Sequence, residues 1–173
     1  MKKLILVLAF LLILTIGAFA EHPGGGGIGI VGQSHFEWKE FKGSPGAALS
    51  LKMPEKPVYW GINVRLNGSD FWVSVTGDNY IVDKRLLPDI NLGWYLGVGA
   101  YAGFFHVGGD SSYSSLGGGA RVPIGIYVFP MSFFEVYVDV APSLGLEILF
   151  GNKSGPYFPA GGLGADLGIR FWL

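Results

Sequence analysis

The clearest pattern along the chain is an alternation of aliphatic and polar positions over residues 120–146. Every second residue from Ala120 to Val128 is aliphatic, and the alternation resumes from Phe134 to Val140 after a break at residues 129–132. A period of two residues is typical of a β-strand, so the two runs predict a hairpin. Because the opposite face carries Gly, Tyr and a few charges of both signs, the pattern favours lipid outside and a narrow, filled lumen inside.

The same period recurs along the rest of the chain and ends only at the last residue. Turn signals separate the runs, and the strongest is Asn67-Gly68. A final strand that reaches the chain end needs a partner, which the first strand provides in a closed barrel. We therefore predict an all-β fold, an eight-stranded antiparallel up-and-down transmembrane β-barrel. The predicted strands cover residues 28–33, 47–53, 58–66, 71–82, 92–102, 120–128, 134–140 and 162–173, with the seventh extending towards residue 149.

The predicted connections differ in length. Residues 34–44, 106–115 and 151–159 form long polar connections, whereas residues 54–57 and 129–132 form short ones. Two connections depart from this division: the turn at residues 67–70 is short on the outer side, and residues 83–89 form a longer connection on the inner side. Bacterial barrels have long outer loops and short periplasmic turns. We therefore expect the three long loops to face outward and to carry any surface binding.

The composition supports a membrane protein over a soluble one. Only 14% of the 173 residues are charged, whereas about 25% is usual in a soluble domain. The 29 glycines argue against a helical protein. A net charge of −1 disfavours nucleic acid as a partner. Without cysteine there is no disulfide framework and no thiolate metal site.

Residues 1–20 have the features of a signal peptide. Lys2 and Lys3 precede an apolar run over residues 4–14, and Ala18-Phe19-Ala20 offers small residues for cleavage after Ala20. Residues 21–173 then form the exported outer-membrane barrel. The following Gly-rich run lacks the Gly-Lys-Ser/Thr of a phosphate-binding loop, so we interpret it as a flexible segment leading into the first strand.

Charged residues of both signs fall on the inward face of the predicted strands. A hairpin centred on Pro130 would place Arg121 opposite Asp139, and a register slip of two residues is the alternative. Opposite charges are tolerated in an interior when they are paired and hydrogen-bonded, so we interpret the set as a salt-bridged plug, with a catalytic carboxylate pair or an ion path as the alternative. The predicted lumen charges are Lys52, Arg65, Asp78, Arg121, Glu135, Asp139, Glu147, Asp166 and Arg170.

The three histidines do not form a recognisable chemical motif. His22, His35 and His106 are too scattered to argue a metal site, and His106 has Gly108, not serine, two residues later. A barrel lipid A deacylase needs His and Ser at that spacing. We therefore predict surface-loop histidines, no catalytic or metal site and no cofactor.

Four segments in the second half of the chain resemble the small eight-stranded outer-membrane barrels of the OmpA/OmpX type and a family of small barrels of diderm bacteria. The C-terminal strand also resembles the assembly signal of such proteins, which ends in Phe; Phe171 fits that pattern and Leu173 departs from it. The resemblance implies outer-membrane lipid and the barrel-assembly machinery as partners. The segments are WYLGVGAY (94–101), GARVPIGIYVF (119–129), FEVYVDVAPSLGL (134–146) and GADLGIRFW (164–172).

These barrels do not share one function. We expect a structural or surface-interaction role through the outer loops, for a ligand that the sequence does not identify. A narrow, porin-like conduit for small or hydrophobic solutes is the alternative. An outer-leaflet lipid-modifying enzyme and a secreted lipocalin-like barrel come next.

Overall fold

The computed structural model describes residues 22–39, 43–109 and 112–173, so the predicted signal peptide lies outside the described residues. The described chain is almost entirely antiparallel β-structure, with one short 3-10 turn at Pro88–Ile90. The strands are β1 (Gly27–Glu37), β2 (Gly43–Lys52), β3 (Val58–Asn67), β4 (Asp70–Leu87), β5 (Leu92–Val107), β6 (Tyr113–Arg121), β7 (Ile124–Met131), β8 (Phe134–Gly151), β9 (Gly155–Ala160) and β10 (Gly162–Trp172).

The sheet closes into a ring because β10 pairs with β1 on one side and with β8 on the other. Four of the ten segments are halves of two longer strands. β6 and β7 both lie between β5 and β8 and are separated at Pro123, which has no backbone N–H to donate. β9 and β10 are separated at Gly161, whose φ of 109° favours glycine. The ring thus has eight strands over the described residues, and the predicted fold class is confirmed.

The aliphatic rows lie on the outside of the ring and the mixed rows lie inside. Ile30 and Leu167 are 64% and 62% exposed, whereas Tyr95 is fully buried. A soluble protein covers most large apolar side chains, so this outward face is suited to lipid. None of the described residues belongs to a helix long and apolar enough to cross a membrane.

The strands are longer than predicted, and the outer loops are correspondingly shorter. β1 continues to Glu37, and β9 takes up most of the predicted loop 151–159. Likewise β5 reaches Val107 and β6 starts at Tyr113, so both ends of the loop predicted at residues 106–115 are strand. The extended strand ends still pair through their backbones with the neighbouring strands. Backbone pairing does not require that one face of side chains be apolar.

The predicted pairing of Arg121 with Asp139 is wrong. Arg121 lies opposite Ser143, and Asp139 lies opposite Gly125. The turn of this hairpin is at residues 132–133 and not at Pro130, so the register moves along β8.

Candidate functional site in the barrel lumen

The lumen has two ends with different packing. We call the end where β1 begins and β10 ends the inner mouth, and the opposite end the outer mouth. Aromatic side chains fill the inner half, where Tyr80 stacks between Tyr59 and Tyr95 with ring centroids 4.0 and 4.1 Å apart. Glycines on the facing strands make room for the rings, since a Cβ at Gly168 would collide with the ring of Tyr137. The buried rings of this inner layer are Tyr59, Tyr80, Tyr95, Tyr127, Tyr137 and Trp172.

A buried ion pair lies within the inner layer. Nη1 of Arg170 donates to both carboxylate oxygens of Glu135, at 3.1 and 2.9 Å. Its Nε and Nη2 donate to Ser50 Oγ at 3.2 and 3.0 Å. The guanidinium also lies 4.9 Å from the ring centroid of Tyr59 and 4.7 Å from that of Tyr137. Every contact of this pair favours the charged forms, as a buried ion pair requires.

His22, which precedes β1, is inserted into this layer and is only 6% exposed. Its Nδ1 lies 2.7 Å from Asp83 Oδ2, and its Nε2 lies 3.2 Å from Glu135 Oε1. Burial alone would lower the pKa of His22, but the hydrogen bonds to the two carboxylates raise this pKa above its ordinary value. The prediction of surface-loop histidines is therefore wrong for His22. It is also wrong for His35 and His106, which lie in the strands β1 and β5.

A second charged layer crosses the middle of the lumen. Arg121 Nε lies 3.4 Å from Asp78 Oδ1, and Arg121 Nη2 lies 3.7 Å from Asp166 Oδ2. Asp139 accepts a 2.5 Å hydrogen bond from the Tyr95 hydroxyl. The contacts of Arg121 with carboxylate oxygens are longer than those of Arg170, so the middle layer is more loosely bonded than the inner layer.

The outer half of the lumen contains a cavity of about 330 Å³, which we call the outer cup. Charged and aromatic side chains from the strand ends and the outer connections surround it. Ser115 donates to Glu147 at 3.0 Å on its wall. The buried Tyr101 hydroxyl has no hydrogen-bond partner among the described residues. The charged and aromatic residues of the cup are His35, Glu37, Trp38, Lys39, Arg65, Trp72, Tyr101, Phe105, Tyr113, Arg121, Glu147, Lys153, Tyr157 and Asp166.

Three cations of the cup lie over aromatic rings. The charged group of Arg65 is 4.6 Å from the ring centroid of Trp72. Lys153 Nζ is 4.8 Å from the ring of Tyr113, and Lys39 Nζ is 5.7 Å from the ring of Tyr157. A ring face attracts the cation of Arg or Lys without accepting a hydrogen bond from every N–H, so the N–H donors of that cation stay available to a ligand.

The nine predicted lumen charges thus lie in three groups, and Arg121 and Asp166 lie where the middle layer meets the outer cup. Glu135 and Arg170 belong to the inner layer. Lys52 stands at its edge, donating to the Met53 carbonyl oxygen at 2.8 Å. The middle layer contains Asp78, Arg121, Asp139 and Asp166, and the outer cup contains Arg65 and Glu147.

Sequence reasoning missed two of the inner-layer groups. His22 lies in a Gly-rich segment with no alternation, and Asp83 falls in what was predicted as a connection. Asp83 accepts from the backbone N–H of His22 at 2.9 Å and from the Tyr127 hydroxyl at 2.9 Å. The inward parity of Asp78 and Tyr80 would place Asp83 on the outer face. The register shift between Tyr80 and Val82 reverses that parity and turns Asp83 inward, so alternation gave no signal for it.

His106 and Ser114 are brought together by the β5–β6 register, with Nδ1 and Oγ 2.9 Å apart. Eight residues separate them in sequence, so no local motif reveals the pair. Nucleophilic catalysis also needs a third group to orient the histidine. No carboxylate of the described residues hydrogen-bonds to His106. Nor do the described residues contain a group of three potential His, Cys, Asp or Glu metal ligands.

No protein-family model matches the chain, and no curated protein matches it either. Among solved structures, the N-terminal β-barrel domain of Pseudomonas aeruginosa OprF matches with a TM-score of 0.58 and 12% sequence identity. The match covers 87% of this chain and 98% of that one. At this identity the likeness concerns the fold alone, and the chain has the fold of a small eight-stranded outer-membrane β-barrel domain.

Proposed function

We propose that this protein is an outer-membrane β-barrel with a closed lumen that acts by binding at its outer cup. The observation that carries the proposal is the division of the lumen. Rings and ion pairs occupy the inner half, whereas the outer half opens into the cup of about 330 Å³. An eight-stranded barrel is just wide enough for side chains to fill it, so the inner layer suffices as a plug.

The outward aliphatic rows and the likeness to the OprF barrel domain support a location in the outer membrane. Under this proposal, residues 1–20 are removed after Ala20 during export. The exposed Phe171 of β10 takes part in recognition by the barrel-assembly machinery. The barrel exterior contacts outer-membrane lipid, and we propose no enzymatic activity.

The chemistry of the cup favours a small ligand that joins a negative charge to a flat apolar group. Arg65 offers five N–H donors, and its one hydrogen bond to the described residues is a long contact of 3.4 Å to Ser44 Oγ. The Tyr101 hydroxyl is a second available donor. Trp72 and Tyr113 provide ring faces on the two strands that flank β5, with Phe105 between them. An aromatic carboxylate combines these requirements.

Closure is tested by recording from the protein in planar bilayers. We expect no steady conductance, because the small cavity between the middle and inner layers, about 40 Å³, has room for isolated waters only. Stable, reproducible single-channel steps would refute the plug and favour the conduit. Recovery of the protein in the soluble periplasmic fraction would refute the membrane location.

Binding is tested by calorimetry with 2-naphthoate on the protein in lipid nanodiscs, with 2-naphthylmethylamine as the cationic comparison. We expect naphthoate to bind and Arg65→Gln to weaken it at least about tenfold, as loss of a charge-assisted hydrogen bond predicts. Lys52→Gln, at the inner mouth, is the matched control and should change nothing. Equal binding of both probes, or no effect of Arg65→Gln, would exclude the cup as an anion site.

A further inference from the structure

The inner mouth contains a site built from residues of separate strands around one imidazole ring. Asp83 of β4 and Glu135 of β8 contact the two ring nitrogens of His22, at 2.7 and 3.2 Å. A neutral imidazole has one N–H and one acceptor nitrogen, whereas the imidazolium donates from both. Because both partners are carboxylates, the site is complementary to the cation.

Aromatic rings enclose the same imidazole on its remaining sides. The ring centroid of Tyr127 is 4.0 Å away, and five further rings lie between 5.7 and 6.0 Å. Rings within about 6 Å attract a cation through their faces. The combination of ring walls and two carboxylates is a cage for a flat organic cation. The five further rings are Tyr59, Tyr80, Tyr95, Phe129 and Trp172.

The segment that carries His22 is not part of the ring of strands. This segment lies against Leu173. The Leu173 N–H donates to the Gly26 carbonyl oxygen at 2.8 Å. A side chain at Gly25 would collide with the Leu173 carbonyl oxygen. The Gly24 carbonyl oxygen accepts from the Glu55 N–H at 3.2 Å. The Gly run therefore allows a tethered segment to fold back across the inner mouth.

We propose that the inner mouth is a binding site for a flat organic cation of the imidazolium type, and that His22 is its built-in ligand. Every wall of the cage belongs to the barrel, whereas the occupant belongs to the short N-terminal segment. The charged groups that face the imidazole are Asp83, Glu135 and, through Glu135, Arg170. This site lies at the opposite end of the lumen from the outer cup and does not depend on the proposed function.

The proposal is tested by chemical rescue in the purified, folded protein. His22→Ala should lower the unfolding midpoint, and added imidazole should restore it in a saturable manner. Pyrazole, which has the same size and stays neutral, should not. Wild type should be unaffected by imidazole, since the tethered His22 has an effective concentration in the millimolar range. His35→Ala is the matched control and should show no imidazole dependence.

The double variant His22→Ala/Glu135→Gln should lose the rescue, because one of the two carboxylates is gone. Rescue by pyrazole and imidazole alike would show that the cage only fills space and would overturn cation recognition. An unchanged midpoint in His22→Ala, or no response of that variant to imidazole, would also overturn the proposal.

A measurement on the wild type covers the case in which His22→Ala does not fold. The ¹⁵N chemical shifts of the histidine rings should show both nitrogens of His22 protonated at neutral pH. His35 and His106 provide the comparison within the same sample. A neutral His22 ring under these conditions would contradict the site as described.

Discussion

Replacing Arg170 with methionine should lower the free energy of unfolding by about 3 kcal/mol. Arg170 is 2% exposed and Glu135 is fully buried, so water does not replace a lost partner. Breaking a buried ion pair by removing one member costs about 3 to 5 kcal/mol. The lower end applies here because Glu135 keeps two donors, the imidazole of His22 and the Trp172 Nε1–H at 2.8 Å.

The loss is measured by urea unfolding of the folded barrel, followed by tryptophan fluorescence and by heat-dependent migration in gels. With a slope of about 2 kcal/mol/M, the midpoint should fall by about 1.5 M. Arg121→Met is the matched control and should cost less, because its contacts are 3.4 and 3.7 Å and lie beside the outer cup. Adding Glu135→Gln to Arg170→Met should recover part of the stability. A shift below about 0.5 M, or a larger loss in Arg121→Met, would refute the reasoning.

Two further predictions concern the outside of the barrel and its inner mouth. Val138→Arg places a charge on the lipid face and should cost about 2 to 4 kcal/mol on folding into bilayers. Tyr137→Arg, on the opposite face, should act through crowding of the lumen. Labelling of position 138 from water would contradict the assigned faces. The stability that His22 contributes should be complete below pH 6.5 and should be lost as pH rises through its raised pKa. The difference between wild type and His22→Gln in unfolding midpoint should therefore shrink at alkaline pH, and a difference that grows would refute the raised pKa.

The strand alternation predicted the fold well where lipid contacts one face. In β10, the aliphatic row that includes Leu167 and Ile169 alternates with Asp166 and Arg170, and the structure keeps this division from Asp166 to Trp172. The prediction stopped short at residues 34–37, which alternate in no obvious way. Those residues still pair with β2 and β10. Beyond the apolar band, the backbone ladder alone maintains a strand, so the side chains carry no periodic signal.

Parity also predicted which charges face inward but not which partners they meet. A partner depends on the register, and moving the β7–β8 turn from Pro130 to residues 132–133 was enough to separate Arg121 from Asp139. Local sequence does not fix such a shift. The position of His22 was even harder to predict from the sequence. A Gly-rich segment has no alternation of apolar and polar side chains, and the location of His22 depends on contacts with Asp83 and Glu135 from distant strands.

The distribution of buried polar atoms that make no hydrogen bond indicates where water is excluded from the lumen. Among the described residues these atoms are Tyr101 Oη, Asp139 Oδ1, and the Asp78 Oδ1 and Arg121 Nε that form an ion pair at 3.4 Å. All four belong to the middle layer or the outer cup, and polar atoms in such positions are normally satisfied by water. In the inner layer the carboxylates of Asp83 and Glu135 are bonded within the protein. Water should therefore reach from the outer mouth to the middle layer and stop at the stacked rings of the inner layer. It follows that those rings close the barrel, and that the ion pairs of the middle layer do not.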